Sequence, residues 1–448
     1  MKFRKLLSLL MVVAMVLSVL AMAGCGDKKA TGNGGSTDGA QSEEDFFADM
    51  PNELRGTKVQ FATWIDHNAT DTANTLRGFE KETGMKSEIV AVPQGSYIPK
   101  LNSLIAADEA PDVLVDNGEF PNTLRLLQPL SWEANCIDPK DPFWDQDITD
   151  LFTLGKESYL VIGANSTFNM AGYVTLYNKT IMEENGIKTP KQLIEEDNWN
   201  LDSLTDLLRQ LKSRAYRDSV AGSINVHAVM DMMGTAEISM NRETDTLENG
   251  LKTNESLAAL QWCLKQKDEG LAALFIEGGS WSGAITLVGA YCLRNKPGWY
   301  YDLNWDDFEV VQLPKVNKDD AAYPKTGSTR AYGICKGSKN PKGAGYFLRY
   351  FLNGDNYDLN EVYKNQMCVD MWKWLCENED RTDADFQYGC RKIVDPEAGS
   401  VISGMMYELA FKTTYAQLGT ELSRTQNEVE AAVAKGNEII KEVIAAQG

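Results

Sequence analysis

Short apolar runs and amphipathic stretches alternate through residues 58–116, and this alternation constrains the fold more than any other feature of the chain. KVQFAT and SEIVAV have the pattern of strands, and PDVLVD is continuously apolar, as expected for a strand that is covered on both faces. Between them, ATDTANTLRGFEKETG, closed by Gly84, and SYIPKLNSLIAAD place apolar residues at helical spacing. Strand, helix, strand, helix, strand is the unit of a parallel, doubly wound sheet, so we predict the α/β class.

The rest of the chain continues this alternation without a repeat of fixed period. AGYVTLYNK, FEVVQLPK and RAYGICKG are predicted strands, and PKGAGYFLRYFLNG is a predicted helix opened by proline. NWNLDSLTDLLRQLKSRA is a predicted helix that begins at Asn200 or Asp202, and NESLAALQWCLKQKDEG is another that ends at Gly270. The tail is predicted to be helical from about residue 404. About 390 residues beyond the N-terminal segments are enough for two domains.

The N-terminus has the pattern of a secretory signal peptide, which we assign to residues 1–24. MKFRK is basic, Leu6 to Ala23 is uncharged and apolar, and the exit residues are mostly small. A retained membrane helix is the alternative, since about 20 apolar residues are enough to span a bilayer. AMAGC resembles a bacterial lipobox, which implies that Cys25 is acylated and becomes the mature N-terminus. Residues 25–56, rich in Gly, Ser and charge, are then predicted to be a flexible tether.

Composition excludes several classes of function. The formal net charge is −20, which disfavours binding to nucleic acid or to anionic lipid, so we expect membrane contact through the lipid anchor only. The chain has two histidines and no CxxC pair among its eight cysteines, so we predict no metal site and no cofactor. Apart from Cys25, we expect the cysteines to be mainly buried thiols, with room for one disulfide.

Four stretches together resemble the extracellular solute-binding proteins of ABC importers, in particular the sugar-binding family that includes maltodextrin-binding proteins. They are VQFATW…LRGFEKETG…YIPKLNSLIAADEAPDVLVDN, AGYVTLYNKTIMEENGIKTPKQLIEEDNWNLDSLTDLLRQL, FEVVQLPK and GSTRAYGICKGSKNPKGAGYFLRYFL. Their order along roughly residues 57–360 is more specific than any one of them. The resemblance implies a monomeric receptor that captures a mono- or oligosaccharide and delivers it to separate ABC permease subunits at the outer face of the bacterial cell membrane.

The same resemblance implies a periplasmic-binding-protein-like architecture of two α/β lobes joined at a hinge, with the ligand in the cleft between them. Crossings are expected near residues 165–172, near 312–326 and after about 365. The first lobe is then 57–165 plus 326–365, and the second is 170–312 plus 366–448.

The carboxyl ends of the predicted strands mark the candidate ligand site, because ligands of open α/β sheets bind there. TWIDHN and VDNGEF follow the first and third strands, and they offer the indole of Trp64 and the polar groups of Asp66, Asp116 and Asn117. His67 is a weaker candidate. An indole suits the apolar face of a sugar, whereas carboxylates and amides suit its hydroxyl groups. Each of these residues has a structural alternative, such as core packing or a helix cap.

Three further regions supply candidates near the implied crossings. Tyr173 lines the cleft or packs the hinge, and Arg330 binds ligand or forms a surface ion pair. The chain departs from the family's pattern at GSWSG after Phe275-Ile-Glu-Gly278. Alignment of Ala284-Ile285 with the family's Ala-Met places Tyr291 on the binding loop, and Trp281 is the alternative contact. The aromatic cluster of Trp299, Tyr300, Tyr301 and Trp305 either extends a sugar platform or packs internally.

A glycan-hydrolysing surface enzyme and a binding protein for a non-sugar solute are the alternative functions. Ser280 in GGSWSG invites comparison with a nucleophile elbow, but Ser282 replaces the second glycine. Both histidines also precede Ser280, which excludes the chain order Ser, Asp, His. No motif singles out a carboxylate pair for glycoside hydrolysis, so we expect a protein that is not an enzyme. The chain also lacks the repeats of an adhesive or scaffolding protein.

Overall fold

Two separate sheets, each flanked by helices, form the framework of the protein. The computed structural model describes residues 47, 50–69, 72–116, 118–167, 172–276, 283–294, 303–324, 330–378, 394–395, 399–400 and 406–447. The predicted signal peptide and Cys25 lie outside these residues.

The helices are α1 Ala73–Thr83, α2 Tyr97–Ala106, α3 Trp132–Asn135, α4 Gln146–Leu151, α5 Lys179–Glu184, α6 Pro190–Glu195, α7 Leu201–Arg214, α8 Val226–Met232, α9 Asn254–Asp268, α10 Pro341–Phe351, α11 Leu359–Val362, α12 Gln366–Asn378 and α13 Leu418–Ala446. The strands are β1 Lys58–Thr63, β2 Lys86–Ala91, β3 Val113–Asp116, β4 Thr153–Leu154, β5 Glu157–Ser158, β6 Tyr173–Asn178, β7 Gly222–Asn225, β8 Ile238–Asn241, β9 Thr246–Asn249, β10 Ala272–Phe275, β11 Ile285–Gly289, β12 Phe308–Val311, β13 Ala331–Ile334, β14 Val394–Asp395 and β15 Gly399–Ser400.

The first sheet contains the predicted β-α-β-α-β unit and has the strand order β13-β3-β1-β2. β1 pairs in parallel with β2 and with β3, as the alternation of residues 58–116 predicts. β13 arrives from much later in the chain and pairs antiparallel with β3. α10 packs on this sheet through aromatic side chains, and the ring centroids of Phe61 on β1 and Phe347 on α10 are 5.7 Å apart.

The second sheet draws its strands from residues 173–311 and has the order β10-β7-β11-β6-β12. β7 pairs in parallel with β10 and β11, whereas β6 pairs antiparallel with β11 and β12. The chain therefore folds into two α/β lobes, and the α/β prediction is confirmed.

Local signals set several helix ends as the sequence predicts. Gly84 follows α1 in the left-handed region, with φ of 71°, and its backbone N–H donates to the carbonyl of Glu80. Asn200 caps α7, because its side-chain oxygen accepts hydrogen bonds from the backbone N–H groups of Asp202 and Ser203.

Ordered packing begins before residue 56, where the predicted tether was expected to end. Met50 and Leu54 are buried in the core of the first lobe. The ring of Phe47 lies 5.7 Å from that of Tyr350 on α10. These apolar residues are isolated among polar ones, so neither helical nor strand periodicity distinguishes them from a linker.

Five of the described cysteines outside the N-terminal segment are buried free thiols: Cys136, Cys263, Cys292, Cys335 and Cys368. Burial raises the pKa of Cys263 and of Cys335 well above the usual range of a thiol. Cys390 lies outside the described residues. Among the described helices, none has both the length and the apolar character that a bilayer-spanning segment needs.

Candidate functional site

The carboxyl edge of the first sheet brings Trp64, Asp116 and Arg330 together. Trp64 directly follows β1, and Asp116 is the last residue of the parallel neighbour β3. Ala331, at the start of β13, is paired with Asp116, so Arg330 lies at the same edge. The sequence therefore predicts correctly that Trp64 and Asp116 share one edge of the sheet.

Trp64 is half-buried and lies between a buried tyrosine and an arginine. Its ring meets that of Tyr97 edge to face, with centroids 5.2 Å apart, and the Cζ atom of Arg330 lies 5.6 Å from the Trp64 ring centroid. The Tyr97 hydroxyl donates to the carbonyl of Ala62 at 2.9 Å and accepts from the N–H of Val115 at 3.1 Å. Burial raises the pKa of Tyr97 well above its usual value, so this hydroxyl stays neutral. A rigid neighbour thus holds the indole, which a stacking platform requires.

Asp116 was predicted to contact the ligand directly, but its carboxylate has a structural role. Its side chain is fully buried. Oδ1 accepts a hydrogen bond from the N–H of Gly118 at 3.0 Å, and Oδ2 accepts one from the Thr123 hydroxyl at 2.8 Å. The carboxylate therefore fixes the turn that leaves β3. Asn117, the other predicted contact in this turn, lies outside the described residues.

Asp66 and His67 follow Trp64 but have opposite surroundings. Asp66 is exposed, and its Oδ1 accepts a hydrogen bond from the N–H of Asn68 at 3.1 Å. His67 is buried, with Nδ1 2.7 Å from the hydroxyl of Thr72, and its ring stacks on Phe61 at 5.4 Å. The interpretation of His67 as a weaker ligand candidate is therefore wrong in this arrangement, because its ring belongs to the core.

The second lobe places two tyrosines at one edge of its sheet. Tyr173 begins β6 and pairs with Gly289, the last residue of β11. Tyr291 follows immediately and is half-buried. A Cβ atom on Gly289 would lie 2.2 Å from Cε1 of Tyr291, so this glycine lets the ring approach the backbone. Trp281, the alternative contact, lies outside the described residues.

Sequence reasoning missed Asn225 and Arg294. Asn225 ends β7 at the same edge; its Oδ1 accepts from the N–H of His227 at 2.9 Å, and its Nδ2 donates to the carbonyl of Ile276 at 3.0 Å. Arg294 is buried, and its Nη1 donates to the carbonyl of Thr167 at 2.8 Å, where the chain leaves the first lobe. Asn225 follows a predictable pattern, an Asx cap after a strand, whereas nothing local in CLRNK distinguishes Arg294.

Strand β13 is buried, and its Tyr332 is affected by the positive charges of Arg330 and Arg294. Burial raises the pKa of Tyr332 to about 12, although the positive charges of Arg330 and Arg294 act in the opposite direction. Near the third crossing, Nζ of Lys364 lies 5.4 Å from the ring centroid of Trp305. Of the aromatic cluster in this region, Trp299, Tyr300 and Tyr301 lie outside the described residues.

Among the residues that the structure describes, no three His, Cys, Asp or Glu side chains are grouped as a metal site would need.

Comparison with a protein-family model gives a match over most of the two lobes. The model of the bacterial extracellular solute-binding protein family matches residues 75–360. No curated protein sequence matches the chain significantly.

Solved structures of sugar-binding proteins have the same fold at low sequence identity. The GacH receptor of Streptomyces glaucescens, solved unliganded and with acarbose, is 14% identical with a TM-score of 0.61, over 85% of this chain and 99% of that one. The galacto-N-biose-/lacto-N-biose I-binding protein of the ABC transporter from Bifidobacterium longum is 15% identical with a TM-score of 0.62, over 86% and 98%. An ABC transporter solute-binding protein from Agrobacterium vitis, solved with D-mannitol, is 14% identical with a TM-score of 0.56, over 84% and 99%.

Proposed function

The chain belongs to the bacterial extracellular solute-binding proteins, and on that basis we propose that it captures a carbohydrate between its lobes and delivers it to the membrane permease of an ABC importer. Members of this family are binding proteins, so the chain is a binding protein and not an enzyme. Mono- and oligosaccharides and the related polyols form the proposed ligand class.

One observation supports a carbohydrate in particular: each lobe has a half-buried aromatic ring at the carboxyl edge of its sheet, Trp64 in the first and Tyr291 in the second. A sugar has an apolar C–H face that gains by leaving water against an aromatic ring. Its hydroxyl groups need hydrogen-bonding partners, since each unmatched group costs about 1 to 3 kcal/mol on burial. The ligands of the structural neighbours, among them acarbose and D-mannitol, agree with this class.

Most of the residues predicted from the sequence remain proposed ligand contacts. Trp64 and Tyr291 stack on the sugar, with Trp281 as the alternative to Tyr291. The hydroxyl-recognising groups are Asp66, Asn117, Tyr173 and Arg330. Asp116 is assigned a structural role instead, because its oxygens accept hydrogen bonds from Gly118 and Thr123. Contacts divided between the lobes would make ligand binding favour their closure, since a ligand shifts an equilibrium only through contacts that differ between the two states.

The proposed anchor is a lipid on Cys25, with the two lobes acting as a monomer at the outer surface of the cell membrane. The lipobox-like AMAGC and the polar segment after it support this. Labelling with a palmitate analogue should mark the wild-type chain and not Cys25→Ala. Equal labelling of both chains would contradict the anchor without affecting the proposed ligand.

A thermal-shift panel tests the proposed function. Mono- and oligosaccharides and polyols form the test set, with peptides and metal ions as controls. A true ligand at a hundredfold excess over its Kd should stabilise the protein by about 2.7 kcal/mol. A response to peptides alone would replace the carbohydrate by another solute. New reducing ends after incubation with glycans would instead indicate the hydrolase alternative.

A further inference from the structure

A hairpin outside both main sheets connects the second lobe to the first. β8 and β9 pair only with each other, antiparallel, with Ile238 opposite Asn249 and Asn241 opposite Thr246. The hairpin belongs by sequence to the second lobe. Its tip, however, lies against residues 150–155 of the first lobe, which include the C-terminal end of α4 and the strand β4.

Arg242 makes the principal contact at this tip. Its guanidinium donates to three backbone carbonyls: Leu151 at 3.2 Å, Thr153 at 2.8 Å and also Asp150. Two of these carbonyls lie at the C-terminal end of α4, where unsatisfied carbonyl groups favour a cation. Burial lowers the pKa of Arg242, which shows that the group gives up water to make these contacts. The neighbouring Asp245 accepts from the N–H of Gly155 at 3.5 Å.

The C-terminal end of α13 contacts the same segment of the first lobe. Nε2 of Gln447 donates to the carbonyl of Leu154 at 2.9 Å, and its Oε1 accepts from the N–H of Lys156 at 3.0 Å. We call the hairpin 238–249 together with residues 437–447 the strap. Its two parts are joined, since Asn437 accepts from the N–H of Leu247 at 2.7 Å and donates to its carbonyl at 3.0 Å.

The base of the strap reaches the edge of the second sheet where ligand is proposed to bind. Glu237 directly precedes β8, and its Oε1 lies 2.7 Å from Nε2 of His227, with both side chains buried. His227 is the second residue of α8, and its backbone N–H bonds to Asn225 at the end of β7. The buried pair of His227 and Glu237 and the half-buried hairpin that follows it therefore link this edge to the first lobe.

We propose that the strap holds the two lobes in the arrangement described here and thereby sets the equilibrium between lobe arrangements. The resemblance implies rotation of the lobes about the crossing segments, so contacts that join the lobes elsewhere would determine which arrangement is populated. Loss of the Arg242 or Gln447 contacts should release the first lobe without removing any ligand-contacting group. This inference does not depend on the identity of the solute.

Distance measurement between paired spin labels tests the strap directly. The labels are placed at exposed positions, Lys100→Cys in the first lobe and Asp306→Cys in the second, in a chain with Cys25, Cys376 and Cys390 changed to Ser. Arg242→Met and Gln447→Ala should each raise the population at a second interlobe distance at least about fivefold relative to the unmodified strap. Arg209→Met is the matched control, because its partners Asp206 and Glu269 both lie in the second lobe.

Each outcome decides the proposal. Unchanged distance distributions in Arg242→Met and Gln447→Ala would overturn it, and so would an equal change in Arg209→Met. If Arg242→Met does not fold, as judged by circular dichroism, Gln447→Ala gives the answer alone, since it alters only the last turn of the chain. No sugar is present in this experiment, so its failure is distinct from failure of the proposed carbohydrate function.

Discussion

At the scale of single residues, the surroundings of Trp64 explain how a half-buried indole stays in place at a sheet edge. The ring of Tyr97 supports one side, and the guanidinium of Arg330 lies over the ring system. An arginine over an indole gains a cation–π interaction, and its planar guanidinium carries five N–H donors. The pair therefore combines an apolar surface with hydrogen-bond donors, which is the combination that a sugar requires.

Trp64→Ala should weaken binding of a saccharide identified by the thermal-shift panel by more than tenfold, which corresponds to about 1.4 kcal/mol. The reason is the loss of the apolar surface on which the sugar stacks. Titration calorimetry measures the effect. Trp132→Ala is the matched control, because Trp132 is exposed on α3, a helix that is not part of this edge. Equal affinities of the two variants would contradict the assignment of Trp64.

Tyr332 should make the protein sensitive to alkaline pH. Its pKa is raised from 10 to about 12 in the folded chain, so this residue contributes stability that is fully present below pH 10 and is lost as the pH rises to about 12. In that window the unfolded chain binds fewer protons, and the free energy of unfolding falls by up to about 1.4 kcal/mol per pH unit. Urea unfolding of Tyr332→Phe should show a shallower decline there than the wild type.

The control for this pH dependence is Tyr415→Phe, because Tyr415 is exposed. The free energy of unfolding of the Tyr415→Phe variant should fall between pH 10 and 12 as steeply as that of the wild type. A Tyr332→Phe variant with the wild-type slope would show that Tyr332 ionises equally in both states.

The sequence predicts which residues lie at the sheet edge, because strand position alone determines this. It does not predict which of their side chains are buried. The end of an apolar strand places Trp64 and Asp66 at the sheet edge whatever lies around them. Asp116 has the same position, but the hydroxyl of Thr123 and the N–H of Gly118 turn its carboxylate inward. His67 is covered by Phe61 and by Phe351 of α10, a helix more than 270 residues later in the chain. Such long-range contacts have no local signal.

At the scale of elements, two connections of the second lobe contain a glycine with left-handed backbone, Gly283 before β11 and Gly234 after α8. Gly283 leads into β11 with φ of 84°, and a Cβ atom there would lie 2.1 Å from the carbonyl oxygen of Ala221. Gly234 also has positive φ, 67°, but has open space around it. The two positions therefore separate backbone strain from steric overlap.

Gly283→Ala should destabilise the protein by about 2–5 kcal/mol, since left-handed strain of about 1–2 kcal/mol adds to overpacking of about 1–3 kcal/mol. Gly234→Ala should be destabilised by the backbone strain alone, about 1–2 kcal/mol, because its Cβ atom meets no neighbour. Chemical denaturation of both variants measures the difference. Equal losses would mean that β11 and β7 move apart at little cost.

The parallel units were predictable at this scale because their apolar periodicity is strong, whereas the strap was not. ISMNRETDTLEN contains only three apolar residues, Ile238, Met240 and Leu247, and its second strand has just one of them, so its alternating pattern is too short to identify a hairpin. Its stability comes from α13, nearly 200 residues later, through the paired contacts of Asn437 with Leu247. The helical tail was predicted from its own periodicity, but its contact with the first lobe was not, because that contact uses polar side chains.

At the scale of the whole molecule, the chain divides into two lobes whose sheets have different strand patterns. The first is mainly parallel with one late antiparallel strand, and the second contains two antiparallel pairings around β6. The sequence resemblance predicted this two-lobe organisation, which the family match over residues 75–360 supports. Ligand captured by both lobes would couple their motion to binding.

The central claim is that one saccharide contacts aromatic rings of both lobes at once. Titration calorimetry with a saccharide from the thermal-shift panel tests it most directly, on the wild type, Trp64→Ala, Tyr291→Ala and the double variant, each shown to be folded. We expect each single variant to lose more than tenfold in affinity, about 1.4 kcal/mol, and the double variant to lose more than either. A folded double variant with wild-type affinity for that saccharide would contradict the claim.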